Sequence, residues 1–560
     1  MKFVSKFAGV ARPRRDVFNY IFEARRPYPS DRILYTEHET GATLTLGQLE
    51  RKSRQLATAL IDTYGVAPGD VIAILASDSI YFPIAYLGIL AAGATVQLIP
   101  VQKELAAQDV VARLEAAGTK LLITNAAMLS MAAEAVSSVG NIPLLDIAEK
   151  PDIFEGAEYK GFQINGGPES ESTDGFLNRT SGSTGGKMKT VITTHAHFIA
   201  AMEATLHTVP QNTDPDADVW LSTLSLGFFI NAKLNMGLNI LLGIPVVLLN
   251  TAFGPDSFQL IEKYRITFLF LPPPVAIAIA AASLPKTDVS SVKWLLSAGA
   301  TMNEGVQRAV SERLNAHLAM EWGTAETLLI ALQLDGASSP PGSCGKLVNG
   351  IEAMVIDINT GSPVGPGIEG ELLVRNSAAK FAGYKANQAA NQSTFDEAGW
   401  FHSGDYGMID ENNNVFIRDR IKELIRVGSG YGVHISATEL ESKLFEHPAV
   451  AEVIVTGVLS PTTHTEQPTA FVVLATEWKG KPAEALSSLQ KLAAEKFVGL
   501  QSLTGGFIFI TQFPHIGFKI DRRALKALAI SQRPELNADL KLSKPLDSTN
   551  LVKEVAIHIM

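Results

Sequence analysis

The sequence predicts a layered α/β fold, and two observations carry the prediction. Up to about Gly350, short β-branched or apolar runs alternate with longer helical patterns; beyond it, shorter strands are broken by frequent turns. Alternating strand and helix implies parallel sheets covered by helices, whereas closely spaced strands and turns read as a smaller antiparallel or barrel-like unit. At 560 residues and 46% hydrophobic the chain can bury a large core, and its length calls for several domains or subdomains.

Taken in order, Val71–Leu75 reads as a strand, Ile80–Leu90 as a helix and Lys120–Thr124 as a strand. Pro245–Leu249 is a strand, Asp256–Tyr264 a helix and Thr267–Leu271 a strand closed by Pro272-Pro273-Pro274; Val292–Ser297 is a further strand. Glu352–Ile358 and Gly370–Val374 open the strand-rich part, where the turn Asp410–Asn414 precedes Val415-Phe416-Ile417. After Arg420 a compact α+β pattern follows: helix Ala437–Phe445, strands Glu452–Gly457 and Ala470–Ala475, helix Pro482–Phe497. The expected domains are residues 1–419, with 350–419 as the barrel-like subdomain, then a small α+β domain over 420–530 and a polar tail over 531–560.

The uncharged stretch Ser79–Gln102 is long enough to span a bilayer, but Pro83, Gly88, Gly93 and Pro100 cut it into pieces. A buried helix through Leu90, a turn at Ala91-Ala92-Gly93 and a strand over Thr95–Ile99 account for it, so no membrane span is expected. The formal charge of −10 argues against nucleic acid or an anionic membrane as the main partner. The single cysteine, Cys344, cannot form an internal disulfide, and no secretory leader is evident, so a reducing, cytoplasmic setting is expected.

The most chemically pointed segment is Thr180-Ser181-Gly182-Ser183-Thr184-Gly185-Gly186-Lys187-Met188-Lys189. Glycines let backbone approach a ligand, hydroxyls and N–H groups donate hydrogen bonds, and lysines add mobile positive charge, which suits the polyphosphate of ATP. An ordinary surface turn has the same composition. A Walker loop does not, since Ser181 stands in place of its first Gly and Met188 in place of its Ser/Thr.

Five further segments follow this loop: Ser297-Ala298-Gly299-Ala300, Glu321-Trp322-Gly323-Thr324-Ala325-Glu326-Thr327, Gly399-Trp400-Phe401-His402-Ser403-Gly404-Asp405, Arg418–Ile425 and Phe518-Lys519-Ile520-Asp521-Arg522. In order and spacing the six resemble the adenylate-forming superfamily of acyl-CoA synthetases, nonribosomal peptide adenylation domains and luciferases. The resemblance runs from about residue 30 to about residue 530. It implies a two-step ligase using ATP and Mg2+, which turns a small-molecule carboxylic acid into an acyl adenylate and passes the acyl group to coenzyme A. The 420–530 domain is then the mobile lid.

The resemblance also assigns residues. Thr180, Ser181, Gly182, Ser183, Thr184, Gly185 and Lys187 would cradle phosphates, with Lys189 as the loop lysine and Lys187 as its alternative. Gly299 and Ala300 would leave room for adenine beside Glu321, Trp322 and Gly323, with Trp322 against the ring. Glu326 and Thr184 would hold the metal, and Asp405 would accept both ribose hydroxyls. Arg420 would touch ribose or phosphate, and Lys422 would be the residue about which the lid swings. The loop Gly428–Gly432 would line the thiol channel. Lys519 would bridge the acid and the α-phosphate.

Two departures from the pattern stand out. Ala325 replaces a phosphate-touching threonine, and Met188 and Thr190 replace the usual Pro and Gly. Leu224–Asn231, which in amino-acid-activating relatives carries an aspartate, is uncharged, so an apolar aryl or aliphatic acid is expected. The family's common His near Ser225 is also absent. His195, His197 and His402 are read as structural. A separate carrier protein is the alternative acyl acceptor, and a nucleotide-binding regulator without chemistry is the alternative of another class.

Overall fold

The computed structural model describes residues 1–7, 14–23, 28–103, 105–140, 142–164, 169–180, 189–210, 212–251, 253–254, 257–281, 285–300, 302, 304–333, 339–427, 433–460, 465–497, 499–516 and 519–532. Two parallel-rich sheets form the bulk. A six-stranded sheet runs, edge to edge, Leu144–Asp146, Thr119–Thr124, Val71–Leu75, Thr95–Leu98, Asp174–Arg179, Thr190–Thr194; its strands are parallel except for the last pair. Every residue of Val71–Leu75 is buried, as a strand covered on both faces demands.

The nine-stranded sheet has a parallel centre, from Leu318–Thr324 through Trp294–Ser297, Phe268–Phe270, Trp220–Leu221 and Val246–Leu248 to Ile33–Glu37, and antiparallel margins. Between the sheets lies the helix Tyr81–Ala91, buried on nearly every side. Helix Leu46–Asp62 crosses it, started by a Thr45/Gln48 capping box. A Cβ on Gly88 would stand 2.7 Å from Leu56 Cδ2, so the glycine is what lets the two helices touch. The uncharged 79–102 stretch is therefore core, and no helix among the described residues is long and apolar enough to cross a membrane. Each fully buried aliphatic side chain here, such as Leu87 or Ile74, contributes roughly 1.5–3 kcal/mol.

The strand-rich part is a five-stranded antiparallel sheet in the order Lys2–Val4, Ile351–Ile356, Gly370–Asn376, Phe401–Ile409, Val415–Arg420. Phe401–Ile409 alternates buried and half-buried residues along its length, the period-2 signature of a one-sided sheet. Its turn to the next strand closes with Asp410 N–H donating to Asn414 O at 3.0 Å.

The third unit is a sheet of Val450–Leu459, Glu466–Leu474 and Phe507–Phe509 flanked by helices Ala437–Phe445, Pro482–Lys496 and Arg522–Gln532. Ser436 caps the first of these helices through Glu439 N, and Ser436 Oγ also donates to Arg418 O at 3.2 Å, joining this unit to the last strand of the antiparallel sheet. Cys344 is buried, and burial pushes its thiol up to about 12, so it is inert.

Candidate active site

The two strands that flank the expected phosphate loop pair with each other. Strands Asp174–Arg179 and Thr190–Thr194 pair antiparallel, and beyond their ends Thr180 N–H donates to Lys189 O at 2.9 Å while Lys189 N–H donates to Thr180 Oγ1 at 3.1 Å. Ser181, Gly182, Ser183, Thr184, Gly185, Gly186, Lys187 and Met188 lie outside the described residues. Lys189 Nζ sits 4.4 Å above the ring of Tyr384, whose hydroxyl donates to Glu326 Oε1 at 2.7 Å. Loop lysine, tyrosine and candidate metal carboxylate thus stand in one row. Burial, then the charge of Glu326, holds the Tyr384 phenol well above its usual range, so it stays a donor.

Tyr384 was not anticipated from the sequence. It reaches the site because Ile192 N–H donates to Gly383 O and Lys385 N–H to Thr190 O, which attach 383–385 to the hairpin. Ala325 packs against the small apolar cluster of Val191, Tyr384 and Ala390, a physical use for the missing threonine hydroxyl.

The residues expected on the nucleoside side stand on strand Leu318–Thr324 and the neighbouring antiparallel sheet. Trp322 Nε1–H donates to Asp405 Oδ2 at 2.8 Å, and Arg420 Nε stands 2.8 Å from Asp405 Oδ1. Ser403 O accepts from Arg420 Nη1 at 3.0 Å, and Ser403 Oγ accepts from Asp405 N–H at 2.9 Å, so the Ser-Gly-Asp turn holds both partners. After Trp322 the strand bulges into a tight turn in which Thr327 N–H donates to Thr324 Oγ1 and Leu328 takes a φ of 58°. A Cβ at Gly323 would lie 2.1 Å from Leu328 O, so only glycine permits this turn and the resulting position of Glu326. Gly299 follows its strand with a φ of 93°, and the buried Ser297 Oγ beside it has no partner among the described residues. Ala300 is exposed next to it.

Directly after Arg420, where the hinge is expected, stands a short 3-10 helix, Ile421–Glu423. Burial, then the charge of Arg420, lowers the affinity of Lys422 for its proton. Asp419 and Glu441 are both buried, and Arg522 sits between the units with Nη2 3.2 Å from Glu441 Oε1 and Nε 3.9 Å from Glu423 Oε2. Burial works against the Arg522 charge, and Glu441, Asp419 and Glu423 more than offset it. Lys519 lies three residues before this anchor, its backbone paired with Ile516 in a two-stranded ribbon; its side chain, Phe518 and the loop 428–432 are outside the described residues.

Segment 224–231 is fixed from two sides. Leu226 N–H donates to Asp78 Oδ1 at 2.8 Å, and Asn231 Nδ2 donates to Leu224 O and Ser225 O, each at 2.9 Å. Burial pushes Asp78 up to about 7 despite those donors. Two residues past the uncharged segment, Lys233 Nζ lies 2.8 Å from both Oε1 and Oε2 of Glu321. Nothing in the local sequence marks Asp78 or Lys233, since each makes its contact with a residue far away in the chain. His195 is buried and held near pKa 4 by burial, with Nδ1 accepting from Val17 N–H, in keeping with a structural role.

The profile of the "AMP-binding enzyme" family matches residues 21–385, and that of the "AMP-binding enzyme C-terminal domain" matches 439–516. The chain belongs to the AMP-binding enzyme family. Within it, the chain is 27% identical over 540 residues to the 4-coumarate–CoA ligase CCL1 of Humulus lupulus, covering 92% of this chain and 94% of the relative. Among solved structures, the ATP-bound MatB of Rhodopseudomonas palustris has the same fold at a TM-score of 0.79 and 20% identity, covering 92% of this chain and 98% of its own. A benzoate CoA ligase from Burkholderia xenovorans LB400 matches at 0.77 and 22% identity, covering 91% and 99%.

The described groups fit a nucleotide. Ser297 Oγ, without a partner among the described residues, the acceptor Asp405 and the indole of Trp322 offer the mix of flat surface and directed polar atoms that a nucleoside needs. Among the described residues no three His, Cys, Asp or Glu side chains cluster as a metal cage. The Glu326 carboxylate, beside Tyr384 and Lys189, is the hard oxygen donor type that Mg2+ takes.

Proposed function

We propose that this chain uses ATP to activate a carboxylic acid as its acyl adenylate and then transfers the acyl group to the thiol of coenzyme A. The observation that carries the reading is a pair of side-chain rows connected through the short turn from Trp322 to Glu326. Trp322–Asp405–Arg420 suits the nucleoside and Lys189–Tyr384–Glu326 suits the phosphates, on a chain of the AMP-binding family whose relatives include 4-coumarate–CoA ligases.

In this reading Asp405 accepts from the ribose hydroxyls, and Trp322 borders adenine with Gly299, Ala300, Glu321 and Gly323. Lys189, Lys187 and the loop Thr180–Gly185 hold the phosphates. Bound Mg2+, supported by Glu326 and Thr184, would offset charge on the departing pyrophosphate. Lys519, carried by the 420–530 domain, neutralises charge where acid and α-phosphate meet. No protein nucleophile is required, because holding carboxylate and α-phosphorus in line supplies most of the acceleration. Movement about Lys422 within a 1–419 and 420–530 arrangement then admits the thiol, and the buried Cys344 suits a cytoplasmic setting.

Pyrophosphate exchange with a panel of acids, followed by addition of either coenzyme A or a phosphopantetheinylated carrier protein, tests the proposal. Exchange followed by acyl-CoA formation supports it. Product on the carrier alone replaces the acceptor, and absence of exchange with every acid favours a nucleotide-binding regulator.

A further inference from the structure

We propose that Lys233 is a specificity-determining residue of the acid pocket, donating its third N–H to a neutral oxygen on the acid other than the reacting carboxylate; this rests on the acid-activating function proposed above. Lys233 and Glu321 are nearly sealed from solvent, with side chains 8% and 5% exposed. An ammonium carries three N–H donors. Glu321 faces the ammonium with both oxygens at 2.8 Å and engages at most two of the three, and among the described residues nothing else accepts from it. A donor left unpaired in such a place is disfavoured unless something fills it.

The location fits an acid as the occupant. Lys233 ends the short helix Phe229–Lys233, which Asn231 ties back onto Leu224 and Ser225. A π-helical turn, Leu234–Leu238, follows directly; such turns gather at functional sites. Glu321 directly precedes Trp322, the indole that touches Asp405. The ion pair therefore links the segment that corresponds to the acid pocket with the strand that carries the nucleoside site, and acid and nucleotide must meet between these two. Phe229, on the same helix, packs against Phe176 and Phe198 at 5.3 and 5.8 Å between ring centroids, supplying an apolar wall.

Glu321 also decides the charge of the partner. Its carboxylate already neutralises Lys233, so a second carboxylate on the acid would meet a like charge beside its donor, whereas a hydroxyl, ether or carbonyl oxygen would not. The pocket thus suits an otherwise apolar acid that bears one neutral oxygen acceptor.

The test compares kcat/KM for AMP release between benzoate or cinnamate and the same acids with a hydroxyl or methoxy group at each ring position, and with a second carboxylate. The expected result is a preference of at least about tenfold for one oxygenated position, expressed mainly in KM. The double variant Lys233→Met/Glu321→Gln removes both charges together, so neither is left buried and unpaired, and its preference should fall toward one whatever its absolute rate. A purely structural ion pair would leave that ratio unchanged. Should the double variant not fold, the wild-type ratio still decides, together with Lys233→Arg, which keeps the donors and should keep a preference. Equal efficiency with all wild-type substrates, a preference for the second carboxylate, or a preference that survives in the double variant overturns the inference alone. No AMP with any acid overturns the proposed activity, and the inference with it.

Discussion

Trp322 and Asp405, 83 residues apart in the chain, are joined by an indole-to-carboxylate hydrogen bond of 2.8 Å. The bond brings together the nine-stranded and the five-stranded sheets at one carboxylate, which Arg420 approaches from the other oxygen. Asp405 is thereby held in a fixed orientation, with a partner on each of its oxygens.

Replacing Asp405 with Ala should therefore lower kcat/KM for ATP by about a hundredfold, since two charge-assisted hydrogen bonds to ribose are worth roughly 1.5–3 kcal/mol each at their lower bound. Trp322→Phe keeps an aromatic ring but loses the donor and part of the indole surface, so its effect should stay below about tenfold. Steady-state pyrophosphate exchange at varied ATP measures both. Equal losses from the two variants would mean that Asp405 serves only to hold the tryptophan.

Lys519 should act on the rate of adenylation more than on the binding of ATP. Lys519→Ala is expected to cut kcat for exchange by about 10²–10³ with the KM for ATP near that of the wild type. A rise in KM alone would assign Lys519 to ground-state binding.

The two half-reactions should separate at Lys422. Lys422→Pro, which fixes φ near −65°, should leave adenylate formation within a few fold while slowing acyl-CoA formation at least about tenfold. Single-turnover assays of each step make the comparison. Equal loss of both would remove Lys422 from the hinge.

Legibility of the fold followed from how local its causes are. Val71–Leu75 was readable because a strand covered on both faces must be apolar throughout, and Ala437–Phe445 because a serine cap sits directly before it. The proline run after Phe270 was read as the end of a strand, and it does follow one, but it also opens the helix Pro273–Ala281. Lys2–Val4 gave no signal, since it is a strand only by pairing with Ile351–Ile356.

The same distinction holds at the site. Trp322, Asp405 and Arg420 could be named from short motifs, and their side chains touch in the structure, while Glu326, also named, touches Tyr384. Tyr384, Asp78 and Lys233 could not, because nothing within ten residues of each marks the Glu326 carboxylate, the Leu226 amide or the Glu321 carboxylate that gives it a role.

Asp78 should give stability a measurable pH dependence. Its folded pKa is raised to about 7 from the usual 3.8 by burial, against the Leu226 N–H, Ser225 and Ser222 that favour its charged form, with the Glu39 charge raising it further. The folded protein thus binds this proton more tightly than the unfolded chain. The associated stability is fully present below about pH 3.8 and is lost as pH rises through about 7. Asp78→Asn removes the titration, so its Tm should exceed that of the wild type at pH 8 by more than at pH 5. Thermal unfolding at the two pH values checks this; an unchanged difference would mean that Asp78 titrates normally.

The central claim is that one cleft forms an acyl adenylate and then a thioester. Incubating the protein with ATP, magnesium, coenzyme A and an acid panel, and following AMP, pyrophosphate and acyl-CoA together, tests it most directly. The account predicts equal amounts of all three with at least one acid, and pyrophosphate exchange that persists without coenzyme A. Release of ADP and phosphate, or no turnover with any acid while ATP still binds, would contradict it.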